Sequence, residues 1–214
     1  MKFNHHFKDW LVNENGVRLN PKYRFLLAYG GRGSGKSHAI AELLILIATQ
    51  RKTQILCCRE FQNSIDDSVM SLLMEKADKI APTFFHTVNN KIIGKNGSTF
   101  AFIGLARNLG SVKSKEGYDI AWVEEAQYIS YKAWEVLDPT IRKEGSQIIL
   151  SMNRDSEDAV IDKSFIQSAD KPPRTSIVNV NYVDNPYPIE QLKELAEHCK
   201  RVAFPSYQHI WMGA

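Results

Sequence analysis

Short, almost wholly apolar stretches alternate along this chain with longer ones in which apolar residues recur at helical spacing. Arg24 to Ala28 predicts a strand, and Lys36 to about Gln50 a helix. Gln54 to Cys58 predicts a second strand, followed by a helix through DDSVMSLLMEKADKIA. Ile120 to Val123, QIILSM and TSIVNVNY predict three more strands. YKAWEVLDPTIRK predicts a helix that Pro139 should interrupt, since proline has no amide proton and collides with the preceding turn. IEQLKELAEHCKRV predicts a further helix, entered through Asn185-Pro186. One stretch breaks the alternation: FFHTVNNKIIGKNGSTFAFIGL predicts antiparallel strands turning at Lys95-Asn96-Gly97. The pattern predicts an α/β fold, a mainly parallel sheet with helices on both faces and an antiparallel hairpin at one edge.

Between the first strand and the first helix stands GGRGSGKS, residues 30–37. Its spacing, Gly30-x-x-x-x-Gly35-Lys36-Ser37, is that of a phosphate-binding loop. Glycines let successive amides converge on phosphate oxygens, and the helix that follows adds its positive N-terminal end. Candidate phosphate contacts are therefore Gly30, Gly31, Arg32, Gly33, Ser34, Gly35, Lys36 and Ser37, with Lys36 reaching the β/γ oxygens and the Ser37 hydroxyl ligating Mg²⁺.

A nucleotide hydrolase also needs a carboxylate for the metal and a base for water. YDIAWVEEA, residues 118–126, supplies both at the end of an apolar strand. Glu124 is the candidate metal carboxylate and Glu125 the candidate base, placed where open α/β sheets bind ligands. Bound ATP and Mg²⁺ follow from this pairing.

Composition narrows the setting more than the chemistry. At 214 residues, 43% hydrophobic and 24% charged, the chain has the values of one globular domain. A net charge of +3 permits a polyanionic partner without requiring one. Three cysteines without zinc spacing, an N-terminus without an apolar signal core and no membrane-length apolar run point to the cytoplasm and away from a membrane. Adjacent His5-His6 lacks further ligands for a metal, and Trp122 and Trp134 read as core.

In order along the chain, GGRGSGKS, ILCCREFQNSIDDSV, WVEEA, TIRKEGSQIILSMN, VNYVDNPYP and YQHIWMG resemble the ATPase domain of tailed-phage terminase large subunits, over roughly residues 23–213. The resemblance implies a P-loop NTPase fold of the RecA/ASCE type, with 1–214 a single ATPase domain and 1–22 an N-terminal extension. It implies an ATP-driven motor packaging double-stranded DNA into a procapsid in the host cytoplasm. The implied partners are the portal protein, the small terminase subunit and further copies in a ring. It assigns Arg32 to the nucleotide phosphates and Asn153 to sensing the γ-phosphate or the catalytic water. Arg154 follows Asn153 where many relatives have proline. The resemblance places the nucleobase near the segment ahead of the first strand, where Tyr23 or Arg24 could stack on it. Arg59 is open between a nucleotide contact and a buried ion pair. A basic residue acting on a neighbouring subunit is sought among Arg107, Lys113 and Lys115. Such a finger is worth about 10³ to 10⁵ in rate. The family's RNase H-like nuclease domain does not fit in 214 residues, so no nuclease activity is expected of this piece. A small-molecule kinase, a non-hydrolysing switch and a helicase-type ATPase are the alternatives. The first lacks an arginine-rich lid, the second has no use for Glu125, and the third needs a second ATPase lobe.

Overall fold

The computed structural model describes residues 4–13, 16–61, 68–112, 117–187 and 189–214. In chain order the strands and α-helices are β1 (Leu11–Asn13), β2 (Val17–Leu19), β3 (Phe25–Tyr29), α1 (Lys36–Gln50), β4 (Gln54–Arg59), α2 (Met70–Ile80), β5 (Phe85–Val88), β6 (Lys91–Gly94), β7 (Thr99–Gly104) and α3 (Leu105–Val112). The remainder are β8 (Ile120–Glu124), α4 (Tyr131–Thr140), β9 (Gln147–Met152), β10 (Thr175–Asn179), α5 (Glu190–Val202) and α6 (Phe204–Met212).

Among the described residues the main sheet has eight strands in the order β10-β3-β9-β8-β4-β7-β6-β5. The six from β10 to β7 are parallel, and β6 then β5 continue antiparallel. The predicted hairpin is β6–β7, and Asn89 and Asn90 at positive φ turn β5 into β6. The inner strands β3, β9, β8 and β4 bury both faces by alternation, while β10 at the edge is only half-buried. Leu26, Ala28, Ile55, Cys57, Ile120 and Trp122 pack with α1 and α2 on one side. Leu27, Leu56, Cys58, Ala121 and Val123 pack with α4 and Phe165 on the other.

Several elements differ from the sequence reading. Leu105–Val112, where the sequence predicts no helix, forms α3, kinked at Asn108. Pro139 sits in the last turn of α4, which ends one residue later. The β1–β2 hairpin and α6 were not read at all. Lys113, Lys115 and the Asp66-Asp67 helix start lie outside the described residues.

One consequence of the strand order positions the site. β9 lies between β3, which carries the glycine loop, and β8, which carries the acidic pair. Tyr29 is level with Met152, and Ser151 with Glu124. The C-terminal ends of three neighbouring strands therefore present the loop, Asn153 and the carboxylates side by side.

Candidate active site

The loop after β3 is shaped by close approach as much as by turning. A Cβ on Gly31 would lie 1.9 Å from the Trp211 carbonyl oxygen in α6, so only glycine fits. The Arg32 amide donates to the Ile210 carbonyl at 2.8 Å, and the Gly31 amide to Asn181 Oδ1 at 3.0 Å. Gly35, at φ +76°, turns the chain into α1 from the left-handed region that side chains rarely adopt.

Lys36 is buried, and its Nζ lies 2.9 Å from Gly30 O, 3.0 Å from Gly31 O, 2.8 Å from Ser34 Oγ and 3.1 Å from Asn153 Oδ1. An ammonium has three protons for these four oxygens, so one contact is shared. Burial lowers its pKa to about 8 against the pull of Glu124. The Ser37 hydroxyl donates to Glu124 Oε1 at 2.9 Å.

Successive side chains of a strand face opposite ways, so two adjacent glutamates cannot both enter one cleft from regular β structure. The chain resolves this by leaving the strand at Glu125, whose φ of 54° and ψ of 45° are left-handed. A non-glycine residue held there costs on the order of 1 kcal/mol or more. Both carboxylates then line the same cavity. Arg59, at the end of β4, ties them together. Its Nε donates to Glu124 Oε2 at 2.5 Å, and its Nη2 contacts Glu124 and, at 3.4 Å, Glu125. Of the two readings left open for Arg59, this geometry is the buried ion pair. Glu124 has its pKa raised by burial, an effect that Arg59 and Ser37 oppose. Glu125 keeps 43% of its side chain exposed.

Lys36, Ser37, Glu124, Glu125 and Asn153 line a cavity of about 780 Å³ together with Gly31, Arg32, Gly33, Ser34 and Gly35. Arg32 is exposed along it. Gly30 contributes its carbonyl to Lys36 without lining it. Tyr23 and Arg24 do not reach it. They stand at the N-terminal end of β3, about 17 Å of extended chain from the loop. There the Tyr23 hydroxyl bonds Asp9, and Arg24 binds the Ser146 and Ile141 carbonyls at 3.0 and 2.6 Å. Their polar groups hold the α4–β9 connection and the N-terminal segment, which corrects the expectation of a nucleobase contact.

The opposite wall comes from residues that the sequence did not single out for the site. Asn4, Asn185, Pro186, Tyr187, Ile189 and Leu192 line it. Asn185 Nδ2 donates to the Gly33 carbonyl at 2.8 Å, and Asn4 Nδ2 to the Asp184 carbonyl at 3.0 Å. The available signal was the run VNYVDNPYP, whose asparagines and prolines mark a shaped loop after a strand. Arg107 is exposed on α3. Trp122 is fully buried, its indole donating to Ser151, and Trp134 packs on Phe165. No helix among the described residues is long and apolar enough to cross a membrane.

Comparison with known proteins gives one consistent result. The large terminase subunit of the Bacillus subtilis (strain 168) phage PBSX is 27% identical over 144 residues, covering 66% of this chain and 31% of its own length. That of Bacillus phage SPP1 is 24% identical, covering 99% of this chain and 53% of its own. The chain thus spans about half, or less, of the curated relatives it matches. Among solved structures, the large terminase of a thermophilic bacteriophage superposes with a TM-score of 0.73 at 12% identity, over 90% of this chain and 48% of that one. The same terminase is known in complex with ADP and with ATP-gamma-S. The fold is accordingly the P-loop α/β fold expected from the sequence. The sequence model of the family described as "Phage terminase large subunit" matches residues 22–214, and the chain belongs to that family.

Proposed function

We propose that this chain is the ATP-hydrolysing motor domain of a terminase large subunit, driving double-stranded DNA into a procapsid. The observation that carries the reading is the convergence of Lys36, Ser37, Glu124, Glu125 and Asn153 in one cavity from three adjacent strand ends. The phosphate loop binds the triphosphate through its amides, and a β/γ oxygen takes over part of the Lys36 ammonium. Glu125 accepts a hydrogen bond from the attacking water and orients it in line with the γ-phosphate. Asn153, against Lys36, reports whether the γ-phosphate is present. Arg32 adds positive charge along the phosphates.

The donor set fits Mg²⁺. A hydroxyl and a carboxylate 2.9 Å apart are hard oxygen ligands, the one or two protein groups this ion takes beside phosphates and water. Ser37 and Glu124 would hold it, and it would supply neutralisation of the developing phosphate charge. Tyr187 and Pro186, with Ile189 and Leu192, form the wall we assign to the nucleobase, in place of Tyr23 and Arg24. The resemblance of the motifs supports the portal, the small subunit, DNA and a homo-oligomeric ring as partners. Arg107 is the candidate trans-acting cation among the described residues.

Phosphate release from Mg·ATP, with nucleotide binding measured alongside, tests this reading on wild type and Glu125→Ala. The expected outcome is slow turnover that disappears in the variant while binding survives. Equal turnover in both would remove Glu125 from the reaction.

A further inference from the structure

Asn153 is the first residue beyond β9, and no helix or strand follows it before residue 160. Residues 153–156 lie outside helix and strand. The direction of its carboxamide therefore depends on what anchors the chain just beyond. Two side-chain contacts do so. Tyr128, three residues after Glu125, donates its hydroxyl to Asp155 Oδ2 at 2.6 Å, in an exposed setting. The other anchor is deep. Arg154 donates through Nε to Asp162 Oδ2 at 2.7 Å and through Nη2 to Asp162 Oδ1 at 3.3 Å.

Asp162 has 0% of its surface exposed and begins the π-helical segment Asp162–Gln167. Gln167 Nε2 adds a third hydrogen bond to it at 2.6 Å. A carboxylate fully out of water is costly unless its lone pairs are met, so this one strongly constrains its partners. A guanidinium meeting both oxygens has essentially one planar arrangement. That fixes the stem of Arg154, and the Cα of Asn153 is only about 3.8 Å away across a trans peptide. The Arg154 charge is spent on Asp162 and does not line the cavity.

We infer that Arg154 is a positioning residue for hydrolysis: its two-point grip on buried Asp162 sets the turn that holds the Asn153 carboxamide against Lys36. This rests on the reading of Asn153 given above.

Arg154→Lys tests it, because lysine keeps the charge facing Asp162 and loses the fork. Asp162→Asn loosens the same grip from the other side at equal size and serves if the first variant does not fold. Both are compared with Asn153→Ala and with the Arg154→Lys/Asn153→Ala double variant, using the whole chain. The expected result, measured well below each melting midpoint, is near-wild-type ADP affinity, while the midpoints of the Arg154 and Asp162 variants fall because buried Asp162 or its partner loses hydrogen bonds. kcat should fall by on the order of ten- to a hundredfold, as for a reacting group misplaced by about 1 Å. The double variant should be no worse than Asn153→Ala. Unchanged kcat in Arg154→Lys, or losses that multiply in the double variant, would overturn the inference. If Asn153→Ala itself is silent, the inference falls while Glu125-dependent hydrolysis stands. If wild type releases no phosphate, the proposed function falls instead, and a crystal structure of Arg154→Lys decides the positioning role. Asn153 displaced from Lys36 supports it, and an intact contact refutes it.

Discussion

Removing the Arg59 side chain isolates the energetics of the acidic pair. In Arg59→Met the apolar stem is retained, and Glu124 loses the guanidinium that covers Oε2. The side chains of Arg59 and Glu124 are only 11% and 12% exposed, so solvent cannot take over the role. Breaking a buried pair by removing one partner costs about 3–5 kcal/mol, because the other charge is stranded. For a chain of this size each kcal/mol shifts the midpoint by about 2–4 °C, so Arg59→Met should melt roughly 6–20 °C lower. Adding Glu124→Gln removes the stranded charge and should recover most of the loss. The pH dependence has a definite sign. Burial already raises the pKa of Glu124 above its ordinary 4.5, and removing Arg59 raises it further. The folded state then binds more protons than the unfolded one above pH 4.5, so stability falls as pH rises through that window. The deficit of Arg59→Met should be smaller at pH 5 than at pH 8. Calorimetric melts of the three proteins at both pH values are the assay. A deficit below about 1 kcal/mol, or one that the second substitution deepens, would refute the reasoning.

Three further outcomes follow from the same geometry. Gly31→Ala places a methyl 1.9 Å from the Trp211 carbonyl, and overpacking of this kind costs about 1–3 kcal/mol. Melting and nucleotide titration should both register it, and unchanged values would mean α6 is not packed there. Lys36 has its pKa lowered from 10.5 to about 8, so the unfolded chain binds more protons between those values. Its contribution to stability should therefore rise between pH 8 and 10.5, a rise that Lys36→Met abolishes in pH-resolved denaturation. Tyr187→Ala should weaken ATP and ADP alike by about 1–3 kcal/mol, the range for base stacking on an aromatic ring, whereas Tyr23→Phe should change neither. Equal effects of the two substitutions in a fluorescent-nucleotide assay would return the base to the other end of the sheet.

What could be read from the sequence was what lies close together along it. GGRGSGKS and WVEEA are contiguous, the glycines of the first declare its turn and the flanking apolar runs declare the strands, whereas the left-handed turn at Glu125 carries no compositional signal. The hairpin announced itself through Lys95-Asn96-Gly97 for the same reason. The far wall of the cavity was hidden because its residues meet the loop across long separations: Gly31 and Asn181 are 150 residues apart. Tyr23 and Arg24 misled because nearness in sequence to a functional loop does not say which end of the strand a residue occupies. Helix α6, nine residues with Pro205 in its first turn and several aromatics, has no clear helical signal of its own. Arg59 had two open roles until the strand order brought β4 beside β8.

The seat of α6 has a mechanical side. Its Ile210 carbonyl is hydrogen-bonded to the Arg32 amide, and its Trp211 carbonyl fills the place a Gly31 side chain would take. Close-packed protein is nearly incompressible and passes strain on instead of absorbing it. Tension applied to this helix therefore cannot relax within the helix alone; it reaches the turn that cradles the phosphates. Under the proposed function, load carried by α6 would be felt at the phosphate loop.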